Sequence, residues 1–321
     1  MCEKGNCPFA QKKKQTLLAS HLLSFPLSIF PSFSPFLYLC RPKNFKCIYM
    51  SECSHDCSNC NQKCEKRDLR EAPNPKSKIR KVIGVVSGKG GVGKSSVTSL
   101  LAVQLRRKGY RVGVLDADIT GPSIPKMFNL HGVISGNEDG AFPAETASGI
   151  QVISSNLLTN DEKAPVIWRG PMIAGVVKQF WTDVIWDNID FLLVDMPPGT
   201  GDVPLTVFQT MAVDGIIMIT SPQDLVSLIV SKAVNMAGMM NIPVLGLVEN
   251  YSYIQCPHCN EKISVFGESH AAEVAEEFNL RLLAQMPIDA NIAALADKGE
   301  IEKADVNYLD GVIDMLEGLD G

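Results

Sequence analysis

The chain has 321 residues, of which 45% are hydrophobic and 20% charged. That is enough for one large α/β domain or two average ones, and too apolar for a mainly disordered protein. The formal charge of −5 argues against nucleic-acid binding through general basicity. The charge is uneven: residues 1–49 hold seven Lys/Arg and one Asp/Glu, which leaves 23 and 34 in the remainder, a net of −11.

In chain order, Lys12, Lys13 and Lys14 precede an apolar run from Leu17 to Cys40 that mimics a signal peptide or membrane anchor. Pro26, Pro31 and Pro35 make that run a poor spanning helix, and no small-residue cleavage site follows. The preferred reading of residues 1–49 is an upstream extension, with Met50 as the first true residue and a membrane anchor as the alternative. Residues 50–76 form a polar, cysteine-rich segment ending in the linker-like Ala72-Pro73-Asn74-Pro75. Within it Cys53, Cys57, Cys60 and Cys64 place four thiols in twelve residues, a set open to an iron–sulfur cluster or transient iron, to zinc, or to no metal. Cys2, Cys7, Cys40 and Cys47 belong to the doubtful extension. With no cysteine between residues 65 and 255, a secreted disulfide scaffold is excluded and a reducing compartment, the cytoplasm, is expected.

From residue 77 to 321 one domain is expected. Val82–Val86, Val112–Leu115, Phe191–Val194, Gly215–Ile219 and Val244–Val248 read as buried strands. Ser95–Lys108 and Val226–Met240 read as helices between them. The alternation predicts an α/β fold with a mainly parallel sheet and helices on both faces. A last helix is expected within Val306–Glu317, whose charges are all acidic and do not suit an anionic membrane.

Gly88-Lys89-Gly90-Gly91-Val92-Gly93-Lys94-Ser95 follows the first strand and opens the first helix, the context a P-loop requires. Its glycines let backbone N–H groups wrap an anion, and the helix N-terminus adds a positive dipole. Lys94 is expected to reach the β- and γ-phosphates of ATP, Ser95 to meet Mg²⁺, and Ser96 to line the same site. Asp116-Ala117-Asp118 and Asp195-Met196-Pro197-Pro198-Gly199-Thr200-Gly201-Asp202 each follow a strand at the sheet edge where ligands bind. Asp195 suits a Mg²⁺-side carboxylate, and the stiff Pro-Pro and flexible Gly-Thr-Gly after it suit a loop that senses the γ-phosphate.

The early lysine, Lys89, makes this loop resemble the deviant Walker A motif of the MinD/ParA/nitrogenase-iron-protein superfamily. That resemblance implies that Lys89 crosses a dimer interface to the partner's nucleotide. More narrowly, Leu115–Pro125, Trp168-Arg169-Gly170-Pro171-Met172, Asp195–Asp202 and Val248-Glu249-Asn250-Tyr251-Ser252-Tyr253 resemble the Mrp/ApbC family of iron–sulfur cluster carrier ATPases. The similarity runs from about Lys81 to the C-terminus. It implies that Asp118 orients the attacking water, that Asp195 holds the Mg²⁺ shell, that Asn250 reads adenine, and that Pro287-Ile288-Asp289 flanks the base. Asp116 is then a Mg²⁺-side or structural group, and Thr120 stands where an aromatic residue is common. Arg169 is open to two readings, a dimer or switch contact and a surface arginine.

Cys256-Pro257-His258-Cys259 can turn two thiolates toward one metal, and a lone pair fits a redox dithiol, half a zinc site, or a site shared by two chains. The resemblance implies the last: a [4Fe–4S] cluster bridged by Cys256 and Cys259 of both members of a homodimer, delivered to apo iron–sulfur clients. His258 is expected to be a solvated residue between the ligands. A MinD- or ParA-like positioning ATPase would need a membrane helix or a basic face, which the acidic chain does not offer. An ATP-driven reductase like the nitrogenase iron protein also bridges a cluster, and the placement of the cysteine pair just after Asn250 favours the carrier over it.

Overall fold

A computed structural model describes residues 70–158, 170–222 and 226–320. The extension 1–49, the cysteines at 53, 57, 60 and 64, and Arg169 lie outside the described residues. The chain enters β1 (Ile79–Ser87), passes the phosphate loop into α1 (Lys94–Arg107), and returns through β2 (Val112–Asp116) to a single turn, α2 (Ile124–Met127). Three two-residue strands follow, β3 (Gly136–Asn137), β4 (Gly140–Ala141) and β5 (Ala144–Glu145), and then β6 (Gln151–Ile153). The next units are α3 (Gly170–Thr182), β7 (Ile189–Asp195), α4 (Asp202–Thr210), β8 (Gly215–Thr220) and α5 (Val226–Met239). The last stretch holds β9 (Val244–Gln255), β10 (Lys262–Ile263), α6 (Ala271–Glu277), β11 (Leu282–Pro287), α7 (Ala290–Asp297) and α8 (Asp310–Glu317).

Nine strands form the main sheet in the order β10-β9-β8-β1-β7-β2-β6-β5, with β11 also paired to β9. All central pairs of this sheet are parallel, β5–β6 and β9–β10 at its ends are antiparallel, and β3 and β4 form a separate antiparallel pair. The expected α/β architecture, a largely parallel sheet flanked by helices on both faces, is therefore the observed one. β1 lies between β7 and β8, so successive crossovers diverge around it, and the crevice beyond the strands' carboxyl ends is the natural ligand position. The phosphate loop leaves β1 at that edge.

The inner strands are apolar throughout because helices cover both sides: β8 is fully buried, and so is β7 apart from Asp190. Phe191 and Trp186 have no exposed surface, and Trp186 Nε1 donates to Phe180 O at 3.2 Å. Gly113 packs against Trp186 and Leu192, where a β-carbon would lie 2.9 Å from each.

The expected strands are found with small extensions, except that β9 continues past Val248 to Gln255. Its apolar run ends at Val248, but β11 and β10 supply hydrogen bonds farther along. The last helix is shorter than expected and begins at Asp310. Among the described residues no helix is long and apolar enough to cross a membrane.

Phe191→Ala should lower the unfolding free energy by about 3–5 kcal/mol, as for other fully buried aromatic truncations. Urea unfolding checks this, and a loss below about 1 kcal/mol would contradict the core assignment.

Candidate functional site

The loop from Lys89 to Ser96 lines a cavity of about 220 Å³, closed by Ser87, Asp118, Ser123, Met127 and Pro198. Gly93 caps α1 in a left-handed conformation, φ 77°. A β-carbon there would fall 2.3 Å from Asn250 Nδ2, so both backbone and space require glycine. At Gly88 a β-carbon would overlap Ile229 of α5.

Behind the loop lies a buried polar cluster. Lys94 Nζ lies 2.7 Å from Asp195 Oδ1 and 3.3 Å from Ser95 Oγ. Ser95 Oγ donates to Asp195 Oδ2 at 2.6 Å. Thr98 Oγ1, one turn along α1, lies 2.8 Å from Asp195 Oδ1 and 3.0 Å from Lys94 O. Lys94 and Asp195 are 6% and 0% exposed, and the charge-assisted bonds offset the cost of burying them.

Asp116 ends β2 beside Asp195 on β7. Ser154 Oγ donates to its Oδ2, and Asp118 N donates to its Oδ1, both at 3.1 Å. Burial, and then the Asp195 charge, push the Asp116 carboxyl up to about 8. Asp118 reaches the cavity wall, and Thr120 Oγ1 donates to its Oδ1 at 3.2 Å.

The cavity thus gathers Lys89, Gly90, Gly91, Val92, Gly93, Lys94, Ser95, Ser96 and Asp118 on its wall, with Asp195 directly behind Ser95. Gly88, Asn250 and Pro287 are not on that wall. Asn250 is buried and donates from Nδ2 to Val92 O at 3.0 Å, while its Oδ1 accepts from Tyr251 N at 3.0 Å. Pro287 ends β11 opposite Tyr253. Asp289 caps α7, accepting from Asn291 N at 2.8 Å. Ser87, Thr98, Ser123, Met127 and Ser154 were not anticipated. Thr98 alone had a readable signal, standing four residues after Lys94 on the same helical face.

The second expected centre lies beyond β9. Cys256 N donates to Glu261 O and Asn260 N to Cys256 O, each at 2.9 Å, closing a turn between β9 and β10. Cys256 is half-buried and Cys259 exposed, both as free thiols. The backbone N–H of His258, then that of Cys259 and the Cys259 side chain, hold the Cys256 thiol below its usual range. Among the described residues no group of three His, Cys, Asp or Glu side chains could hold a metal, so this chain brings two thiols to the turn.

Residues 78–315 match the family described as ParA: NUBPL iron-transfer P-loop NTPase. An iron–sulfur cluster carrier protein of Clostridium perfringens is 48% identical over 233 residues, covering 70% of this chain and 82% of that one. The chain belongs to the iron–sulfur cluster carrier family of P-loop ATPases. A carrier protein of Methanocaldococcus jannaschii is 42% identical over 261 residues, 78% of this chain and 90% of its own. Among solved structures, a nucleotide-binding protein of Archaeoglobus fulgidus in complex with ADP is 41% identical, with a TM-score of 0.65 over 72% of this chain and 90% of that one. The cell division ATPase MinD of Pyrococcus furiosus, 22% identical with a TM-score of 0.54 over 75% of this chain and 98% of its own, shares the fold. Membership in the family makes the chain an ATP-hydrolysing enzyme.

The raised Asp116 carboxyl has a pH consequence. Between its ordinary 3.8 and about 8 the folded chain holds a proton that the unfolded chain has lost, so this group lowers stability as pH rises. Asp116→Asn should therefore gain stability relative to the parent progressively across that window and level off above it. Urea unfolding at several pH values checks this, and a pH-independent difference would contradict it.

Proposed function

We propose that this chain binds Mg²⁺–ATP at the phosphate loop, hydrolyses it, and carries a [4Fe–4S] cluster as cargo to apoproteins that need one. The observation that carries the reading is the Cys256–Cys259 pair in the turn that directly follows β9, the strand that also braces the phosphate loop. The names of the Clostridium and Methanocaldococcus relatives support the cargo. The cysteine usage supports work in a reducing compartment, the cytoplasm.

In this reading the backbone N–H groups of Gly90 to Lys94 and the start of α1 face the phosphates. Lys94 Nζ exchanges its bond to Asp195 for the β- and γ-phosphates. Ser95 Oγ and Asp195 Oδ2, 2.6 Å apart, are hard oxygens suited to Mg²⁺, which takes few protein ligands. Bound there, Mg²⁺ would neutralise phosphate charge. Asp118 orients the attacking water, and Asp116 fixes the Asp118 backbone through its amide. Lys89 serves the nucleotide of the partner copy. Asn250 and Pro287 flank adenine, for which Asn250 turns its amide from Val92 O.

The cargo needs four thiolates, and the turn offers Cys256 and Cys259. Two copies related by a two-fold axis supply four. The exposed cross-strand pair Ile254–Ile263, with exposed Val265 and Phe266 close in sequence, supports a partner at this hairpin. Exposed thiolates also suit a cluster that must leave.

Lys94→Ala should weaken ATP binding about 10- to 100-fold, the scale of a lost charged hydrogen bond. Asp118→Ala should keep ATP affinity while turnover falls about 10²- to 10⁴-fold. Equilibrium nucleotide binding and phosphate release check both, and near-normal turnover in the two variants would overturn the site.

With Cys53, Cys57, Cys60 and Cys64 replaced by serine, anaerobic iron and sulfide analysis should find about one cluster per two chains. Adding Cys256→Ser and Cys259→Ser should abolish it. A full [4Fe–4S] spectrum in that variant would exclude the bridging site.

A further inference from the structure

Glu249 is the one carboxylate on β9, and the nucleotide chemistry does not use it. It has no exposed surface and stands where the strand changes character. Up to Glu249, β9 is held on both sides, opposite Thr220 of β8 and Gln285 of β11. Past it the register slips, so that Pro287 faces Tyr253, and Tyr251 takes a left-handed conformation, φ 60°. The bulge so formed presses on the phosphate loop. Its Asn250 donates to Val92 O, and both Asn250 Nδ2 and the Tyr251 hydroxyl crowd the position where Gly93 lacks a β-carbon.

Three donors converge on Glu249 Oε2: Ser252 Oγ at 2.5 Å, Ser269 Oγ at 2.7 Å and Gln285 Nε2 at 3.0 Å. Oε1 accepts no hydrogen bond. Placing a carboxylate here is costly, and its neutral donors compensate in part. The positions of two donors are informative. The excursion that carries Cys256 and Cys259 leaves the domain just past Ser252, after Tyr253 has paired with β11, and rejoins it at Ser269, just before α6. Both ends of that excursion are therefore fastened to one oxygen. The residue next to Glu249 in sequence is Asn250, which holds the phosphate loop.

We infer that Glu249 is a positioning residue, a clasp at the root of the cysteine hairpin through which the state of the phosphate loop sets the placement of Cys256 and Cys259. The inference rests on the reading that the loop takes ATP and the cysteines take a cluster. If the loop shifts around phosphates, the bond from Asn250 to Val92 must follow or break. The Asn250 amide cannot swing without also releasing Tyr251 N, which donates to its Oδ1 at 3.0 Å and so ties the side chain to the backbone of the bulge beside Glu249. A buried carboxylate with three bonds to one oxygen cannot follow without loosening Ser252 or Ser269, which hold the two hairpin arms. Two discrete arrangements of such a cluster give a physical link between sites, as coupling requires.

The test uses the full chain and reads thiol accessibility, so it is independent of cluster loading. Alkylation of the Cys256–Cys259 peptide by iodoacetamide is followed by mass spectrometry with and without Mg²⁺–ATP. The parent rate should change about fivefold or more on adding nucleotide. Glu249→Gln and Ser269→Ala should lose that response while ATP affinity stays at the parent value, and Ser269→Thr, which keeps the hydroxyl, should restore it. Ser269→Ala, a single half-buried hydroxyl, decides the matter if Glu249→Gln fails to fold. A parent chain that binds ATP without a thiol response, or variants that respond like the parent, would overturn the inference. So would a response that falls only in proportion to lost ATP binding. Iron and sulfide loading of the parent, measured separately, reports on the carrier reading and not on the clasp.

Discussion

Asp195 ends the central strand β7 with no exposure to solvent, and the site is arranged around satisfying its charge. Lys94, Ser95 and Thr98 all come from the first turns of α1 to meet it. Removing one partner of such a buried pair costs about 3–5 kcal/mol, because the other charge is left uncompensated. The interaction thus fixes α1 against β7 and sets the phosphate loop between them. Burial, and then the neighbouring Asp195 charge, hold the second carboxylate, Asp116, toward its neutral form, and the lysine that would offset them pairs with Asp195. In the proposed reading, phosphates arriving at the loop would compete with Asp195 for the same ammonium, and binding would rearrange the cluster that anchors the fold.

In the proposed reading, β9 would carry that rearrangement outward. Its first half is an ordinary parallel strand, its middle braces the phosphate loop through Asn250, and its end leads into the cysteine turn. The residues that brace the phosphate loop and those that lead into the cysteine turn thus belong to one continuous segment. The Glu249 cluster stands at the second of two register changes in β9's pairing to β11, the one nearer that turn.

The parallel sheet and the phosphate loop were legible in the sequence because backbone geometry dictates both. Uninterrupted Val, Ile and Leu runs suit only strands covered on two faces, and the glycine spacing answers to positive φ at Gly91 and Gly93. The strand-end aspartates were legible by their order after that loop. Other features depend on residues far apart in the chain. Ser154 reaches Asp116 from β6's end, and Ser123 and Met127 come to the cavity on α2. The length of β9 was hidden because Glu249, Asn250 and Ser252 interrupt its apolar pattern, although each is buried with a partner. Asn250 was expected at the base and is found against Val92 O, a contact that spacing could not reveal.

Cluster transfer itself tests the account most directly. The full chain, loaded anaerobically with iron and sulfide, is mixed with an apoprotein whose activity depends on a [4Fe–4S] cluster. The account predicts that activity returns as iron leaves the chain, at a rate that Mg²⁺–ATP changes in the parent but not in Lys94→Ala, which still loads its cluster. Iron that stays on the chain while the apoprotein remains inactive, with or without nucleotide, would contradict it.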